Sequence, residues 1–361
     1  MKRTPFFDMH TALDAKMTDF AGYDMPVQYA GIIEEHLAVR NSVGIFDVSH
    51  MGEFIVEGTS AAAFLQHVTI NDVTKLFPGR IHYTALCYED GGIVDDLLVY
   101  KITEEKYMLV VNAGNIAKDW EWLSGHLPDG VKLTNRSDEI ALLAVQGPHS
   151  LPMLQKLTPI DLSLIPYYHF CKGTIAGIPM IISRTGYTGE LGFELYLESS
   201  HDAAQSVWDS LFEAGKEYNV QPIGLGARDT LRLEMGFCLY GSDIDATTNP
   251  LEAGLGWITK LNKKEFLGKN ALLKVKKEGV KRRLIGCTLP GKTIARHGYS
   301  FSCHGVTVGI VTSGTFSPSL QKGIAMGYVD SVILPGEEHL AVSIRGKDIP
   351  VTTATIPFLK K

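Results

Sequence analysis

No stretch of this chain approaches the ~18 uninterrupted apolar residues of a helical membrane span, so none is expected. The N-terminus, MKRTPFFDMH, has basic residues but no apolar run behind them, which excludes a secretory signal. Asp8, Asp14 and Asp19 arrive too early for a mitochondrial transit peptide, so a bacterial-type cytoplasmic protein, or one whose leader has been removed, is expected. Cysteine is sparse and unpatterned: Cys87, Cys171, Cys238, Cys287 and Cys303 form no C-x-x-C pair and read as reduced thiols, most of them core residues. The 12 histidines form no H-x-x-x-H pair, and a protein metal site is not expected. Positive charge is in deficit, with 34 Lys and Arg against 40 Asp and Glu and a net charge of −6, which argues against a general nucleic-acid binder.

What remains is the composition of an ordinary globular protein, 45% apolar and 20% charged, in 361 residues. That length is long for one hydrophobic core, so two or three packed units are expected. The first 50 residues read as one helix, around GIIEEHLAVRNSVG, between irregular segments. GEFIVEG alternates as a short strand, and a helix carrying Phe64, Leu65 and Val68 follows. From Arg80 to Val111 the pattern is of strands, with turns at Gly91-Gly92 and Thr103–Lys106. A helix from Asn115 to Trp122, strand-like runs DEIALLAVQG and MIISRTGYTGELGFELYL, and helices at 201–218 and 225–235 complete a mixed α+β body. Between Lys260 and Arg283 stand ten Lys or Arg against Glu265 and Glu278, a basic stretch in an acidic protein. Residues 284–358 are β-branched and glycine-punctuated, which suggests a small barrel or sandwich.

Three stretches are candidates for chemistry and a fourth is a decoy. Ile93 to Tyr100 holds two adjacent aspartates in a strand otherwise apolar or aromatic. Asp95 and Asp96 must point to opposite faces, and each needs donors or a ligand if buried. The bland reading is that turns or arginines satisfy both; the functional one is that one faces a cleft. In RTGYTGELGFE, Gly186, Gly189 and Gly192 permit a tight turn and close approach to a flat ligand, Tyr187 offers a ring, and Glu194 offers a carboxylate on the next strand. A carboxylate suits a pterin edge, whose N3–H and 2-amino group form a two-donor fork; alone, an exposed Glu on a glycine-rich hairpin is the simpler reading. GLGARDTLRLE resembles an anion-binding helix start with Arg228 in its first turn, or else a merely solvated one. Gly286 to Thr293 satisfies G-x-x-x-x-G-K-[ST], but no helix pattern follows, so it is a chance match and not a phosphate loop.

The runs DFAGYDMP, VGIFDVSHMGEF, YEDGGIVDDLLVY, LVVNAGN, LAVQGP, SRTGYTGELGFE, GLGARDTLRLE, TNPLEAGLGW and SGTFSPSL together resemble the aminomethyltransferase, or T-protein, family of the glycine cleavage system from end to end. The resemblance implies two interleaved α+β folate-binding subdomains, roughly 1–50 with 140–245 and 51–139, in a body spanning 1–278, followed by a C-terminal β-barrel at 279–361. It places the catalytic carboxylate at Asp96 and folate contacts at Glu194 and Arg228, with Tyr83, Asn112, Tyr167 and Tyr187 lining the pocket. Where some members have an aromatic hydroxyl, this chain has Phe237. The implied reaction takes the aminomethyl group from the lipoyl arm of a carrier, the H-protein, and yields 5,10-methylenetetrahydrofolate from tetrahydrofolate, with ammonia and dihydrolipoyl carrier.

Two other classes stay open at this point. Folate-binding iron–sulfur assembly factors share the architecture but carry a Cys-containing motif near the second folate segment, which TGYTGELGFE lacks. Tetrahydrofolate-dependent demethylases usually carry a flavin domain, and no G-x-G-x-x-G lies between a strand and a helix here. A nucleotide hydrolase would rest on the rejected Gly286 match alone.

Overall fold

A computed structural model describes residues 1–333 and 339–360. They form two compact units: Met1–Leu65, Val73–Tyr83 and Leu97–Asp229 in one, Gln66–Asp72, Thr84–Asp96 and Thr230–Lys361 in the other.

The first unit is built round a six-stranded sheet. Its order is Phe170–Ile175, Ile178–Ser183, Gly192–Glu198, Ile140–Gln146, Gly44–Asp47 and Gln221–Pro222. Every pairing is antiparallel except the last, where Gln221 and Pro222 run parallel to Gly44 and Ile45. The helix His201–Gly215 puts Ala204, Val207, Trp208 and Leu211 into the same core as Ile45, Leu143, Val145, Phe193 and Leu195. A residue spacing of three and four on the helix meets a spacing of two on the strands, so each contributes one apolar face.

A second sheet runs Ile81–Cys87, Ile93–Lys101, Lys106–Val111, Gly52–Glu57 and Lys132–Asn135. The expected alternation of GEFIVEG is absent. Residues 52–56 are all buried, as in a strand covered on both faces, and Glu53 is among them.

The opening 50 residues hold more than the one helix expected. Besides Ile32–Asn41 there is a short helix Phe7–Ala12 and a hairpin pairing Lys16–Phe20 with Tyr23–Gln28. Its strand Lys16–Phe20 is never fully buried, so no apolar alternation marks it. The turn depends on Ala21 and Gly22 at positive φ. The run 180–197 is likewise two strands, divided by a loop at 184–191.

In the second unit, among the described residues, seven strands between Arg282 and Ala354 form one antiparallel curled sheet round Cys287, Leu289, Phe301, Val311, Ala325 and Val342. Gly286 lies inside the strand Arg282–Leu289, and no helix follows it, in keeping with the rejection of a phosphate loop. The helix end at Leu233 and Glu234 docks on this sheet. Leu233 packs with Ile324 and Met326, and the Glu234 carboxylate accepts bonds from the Ser317 hydroxyl and from the Ser319 amide and hydroxyl.

Candidate functional site

Glu194 is the third residue of its strand. Phe193, Leu195 and Leu197 turn into the core, which leaves Glu194 partly exposed on the other face beside Tyr196. The Thr185 hydroxyl donates to its Oε2, and the Tyr196 hydroxyl reaches the same oxygen at 3.4 Å. Tyr196 Oη lies 2.8 Å from Tyr100 Oη, which lies 3.0 Å from Ser183 Oγ, itself 2.7 Å from Thr185 Oγ1. A ring of hydroxyls therefore converges on one carboxylate oxygen, and Oε1 carries neither bond. Burial raises the Glu194 pKa above the ordinary carboxylate value, while the Thr185 bond, the Arg228 charge and Tyr196 oppose the rise.

Arg228 holds its guanidinium 5.1 Å from the centroid of the Tyr187 ring, a cation over an aromatic face. Tyr167 is 62% exposed and meets Tyr168 edge-on at 4.8 Å. Tyr168 sits at φ 60°, where a bulky side chain is strained; its amide donates to the Arg184 carbonyl and its carbonyl accepts from Ile81. The Glu194 charge acts on both rings. Glu194, Arg228, Tyr187 and Tyr167 thus belong to one cluster, to which sequence reasoning did not assign Tyr100, Tyr168, Thr185 or Tyr196. Tyr83 is a half-buried residue of the Ile81–Cys87 strand, and Asn112 a half-buried residue capping the turn Ala113–Asn115.

The loop 184–191 is pinned from beneath by Gln146, which is 1% exposed at the end of its strand. Its Nε2 donates to the Thr185 carbonyl at 3.1 Å, and the Thr188 hydroxyl donates to its Oε1 at 2.8 Å. Arg40 adds bonds to the Thr188 carbonyl and Glu190. The three glycines of the motif divide their roles: only Gly189 has a left-handed φ (71°), while a Cβ at Gly186 or at Gly192, the first residue of the next strand, would collide with the Gln146 amide. The close approach at these two glycines is to Gln146.

The helix start at Gly224–Leu225 also has an anion, but it is internal. Glu35 is 1% exposed and accepts from the Gly224 amide at 2.7 Å, and from the amides of Tyr29 (2.6 Å) and Gly31 (3.1 Å). Arg228, a turn further on, is the part of that motif that joins the cluster.

Two buried groups of the same unit are electrostatically tied to it. His50 has both ring nitrogens unpartnered, and burial together with the Arg228 charge pushes its pKa down to about 3. Glu53 has both carboxyl oxygens unpartnered, and burial, with the Glu194 charge added, lifts its pKa well above the carboxylate range.

Asp95 and Asp96 belong to the other unit; in the strand Ile93–Lys101 Asp95 is fully buried and Asp96 half-buried, and alternation along a strand turns the two opposite ways. Cys238 is buried there, and burial with the charges of Asp243 and Asp96 keeps its thiol protonated.

Residues 6–263 match the model of the GCVT N-terminal domain, and residues 282–360 that of the glycine cleavage T-protein C-terminal barrel domain. The chain belongs to the glycine cleavage T-protein family. It is 55% identical over 363 residues to the aminomethyltransferase of Bacteroides thetaiotaomicron, with all of both chains covered. Against that of Halothermothrix orenii the identity is 51% over 359 residues, covering 99% of this chain and 100% of the other. The crystal structure of glycine cleavage system aminomethyltransferase T from Bartonella henselae is similar at a TM-score of 0.92 and 33% identity, covering 99% of this chain and 98% of that one. T-proteins are folate-dependent enzymes.

Proposed function

We propose that this T-protein transfers the one-carbon unit of an aminomethyl-dihydrolipoyl carrier, the H-protein, to tetrahydrofolate. Ammonia, dihydrolipoyl carrier and 5,10-methylenetetrahydrofolate are the products. The observation that carries the reading is the half-satisfied Glu194 carboxylate beside Arg228 and Tyr187, in a chain of this family. Glu194 accepts the two-donor pterin edge, Tyr187 and Tyr167 offer ring faces, and Arg228 offers a cation to the pterin or to the glutamate tail. Tyr83 and Asn112 complete the pocket lining. The five free thiols suit a reducing cytoplasmic compartment.

Asp96 is the catalytic carboxylate in this reading. It is half-buried in an apolar strand, and on this reading it accepts or relays a proton and steadies positive charge developing as the amine departs. Holding both substrates together makes the encounter effectively unimolecular, which is worth about 7–11 kcal/mol at best. The strands 44–47, 140–146 and 170–198 in one sheet, and 52–57 and 81–135 in another, support two interleaved subdomains.

The test is methylenetetrahydrofolate formation from tetrahydrofolate and an aminomethyl-loaded lipoyl carrier. Carrier-dependent product is expected. Folate binding without product would turn the reading toward a demethylase, and loss of folate binding altogether would overturn it.

A further inference from the structure

Tyr100, Ser183, Thr185 and Tyr196 are buried, and their hydroxyls form a ring that Glu194 Oε2 closes. Thr185 donates to Oε2. Beyond it Ser183 Oγ lies 2.7 Å from Thr185 Oγ1, Tyr100 Oη 3.0 Å from Ser183 Oγ, and Tyr196 Oη 2.8 Å from Tyr100 Oη. The last contact, Tyr196 Oη to Oε2, is 3.4 Å. Each hydroxyl has one proton to give and an ionised carboxylate has none, so four protons serve five contacts. The contact left without a proton is the long one. A hydroxyl donating to a carboxylate stands at about 2.5–2.7 Å, whereas the three hydroxyl pairs are all within ordinary O–H···O range. The sense of every bond is then fixed: Tyr196 donates to Tyr100, Tyr100 to Ser183, Ser183 to Thr185 and Thr185 to Oε2. A protonated Glu194 would supply a fifth proton and draw the ring shut, which the 3.4 Å gap contradicts.

The one-way chain decides what Oε2 has left to offer. A carboxylate oxygen has two lone pairs. Thr185 takes one, and because Tyr196 turns its proton to Tyr100, the other stays free. Oε1 carries neither bond, so the two oxygens together can accept a planar two-donor fork. Ser183 keeps the chain in this sense, giving its proton to Thr185 and a lone pair to Tyr100. Without the Ser183 oxygen, Tyr196 at 2.8 Å is the nearest acceptor for Tyr100, the two tyrosines turn round, and the Tyr196 proton is aimed at Oε2. We propose that Ser183 is a positioning residue for Glu194: it holds the Tyr100 and Tyr196 protons turned away from the carboxylate and so keeps Oε2 open to the second donor of the ligand's edge. This rests on the assignment of Glu194 to the pterin edge.

The full chain is titrated with 5-formyltetrahydrofolate as wild type and as Ser183→Ala, Tyr196→Phe, the two combined, and Glu194→Gln. Ser183→Ala weakens binding about fivefold or more, while Tyr196→Phe, although it changes the residue nearer Glu194, stays within about twofold. Combining them restores affinity to within about threefold of wild type, because no tyrosine hydroxyl is then left beside Oε2. A Ser183 that served only the packing of its strand would give losses that add. A double variant no tighter than Ser183→Ala would overturn the proposal, and so would a Tyr196→Phe weaker than Ser183→Ala. Should Ser183→Ala fail to fold, Tyr100→Phe takes its place: it too releases the Tyr196 proton to Oε2, so it weakens binding and the addition of Tyr196→Phe restores it. Absence of that rescue is equally decisive against the proposal. Undiminished binding by Glu194→Gln would instead overturn the site assignment beneath it.

Discussion

At the scale of single residues, the division between a binding carboxylate and a reacting one can be separated by experiment. Asp96→Asn should keep folate affinity and lose most turnover, as seen by titration and single-turnover assay on the same preparation; retained turnover removes Asp96 from the mechanism. Glu194→Gln should do the reverse first, weakening folate binding about tenfold or more, because an amide presents one acceptor where the ligand offers two donors. A third residue reports on stability. Asp47 is fully buried; burial would raise its pKa, but the His10 bond and charge, with Ser49 and Thr4, hold it below the usual value. Its folded pKa lies under its unfolded one, so the stabilisation is present above the unfolded carboxylate pKa and is lost as pH falls through the folded value. Asp47→Asn should cost about 3–5 kcal/mol near pH 7 by urea unfolding, with the deficit shrinking in acid. Glu194 and Arg228 were singled out through the family resemblance, since by local pattern alone a glycine-rich hairpin with an exposed Glu and a solvated helix start were the simpler readings. Gln146 and Glu53 were not, since a polar residue in an apolar run gives no sign of whether it meets water, a loop some 40 positions away or nothing.

At the scale of elements, legibility followed apolar periodicity. The helix His201–Gly215 buries a strong stripe and the strand Ile140–Gln146 is a continuous apolar run buried from Ala141 onward, and both stand where the sequence put them. The hairpin of 16–28 escaped because Lys16–Phe20 is amphipathic only weakly and its turn residues are not a standard pair. The basic stretch shows a different limit. Ten charges in sequence do not make one face: Lys263 is buried with its ammonium on the Thr69 and Asn71 carbonyls, Lys269 binds the Lys264 carbonyl, and Arg282 pairs with Glu252. The exposed remainder includes Lys274, Lys276 and Lys277 of the helix Lys269–Glu278, beside an exposed Leu273. Changing those three lysines to Glu should raise the apparent KM for an acidic lipoyl carrier several-fold and leave folate affinity alone. An unchanged KM would make the helix a solvated one and nothing more.

At the scale of the whole molecule, an overall charge of −6 coexists with this local excess of lysine. If the lysines steer the carrier, its KM should climb steeply between about 50 and 300 mM salt while that for folate hardly moves, because salt screens exposed charges separated by more than about 10 Å near 0.1 M and buried or close pairs much less. A common response of both would point to a general effect of salt on the enzyme. The broad architecture, an α+β body followed by a β module, was visible from composition along the chain. The grouping of residues 66–72 and 84–96 with the C-terminal unit was not, since a local pattern gives a strand's type and not the unit it joins.

The Gln146 amide fills the space that side chains at 186 and 192 would otherwise occupy, and it binds the loop that both glycines bound. These three positions are therefore one hereditary unit. A lineage could replace Gly186 by alanine only by first shortening residue 146, and would then have to find another tether for Thr188. In a double-mutant cycle, Gly186→Ala and Gln146→Ser should each be harmful alone and less than additive together, leaving a trace of paired change in the descendants of this sequence.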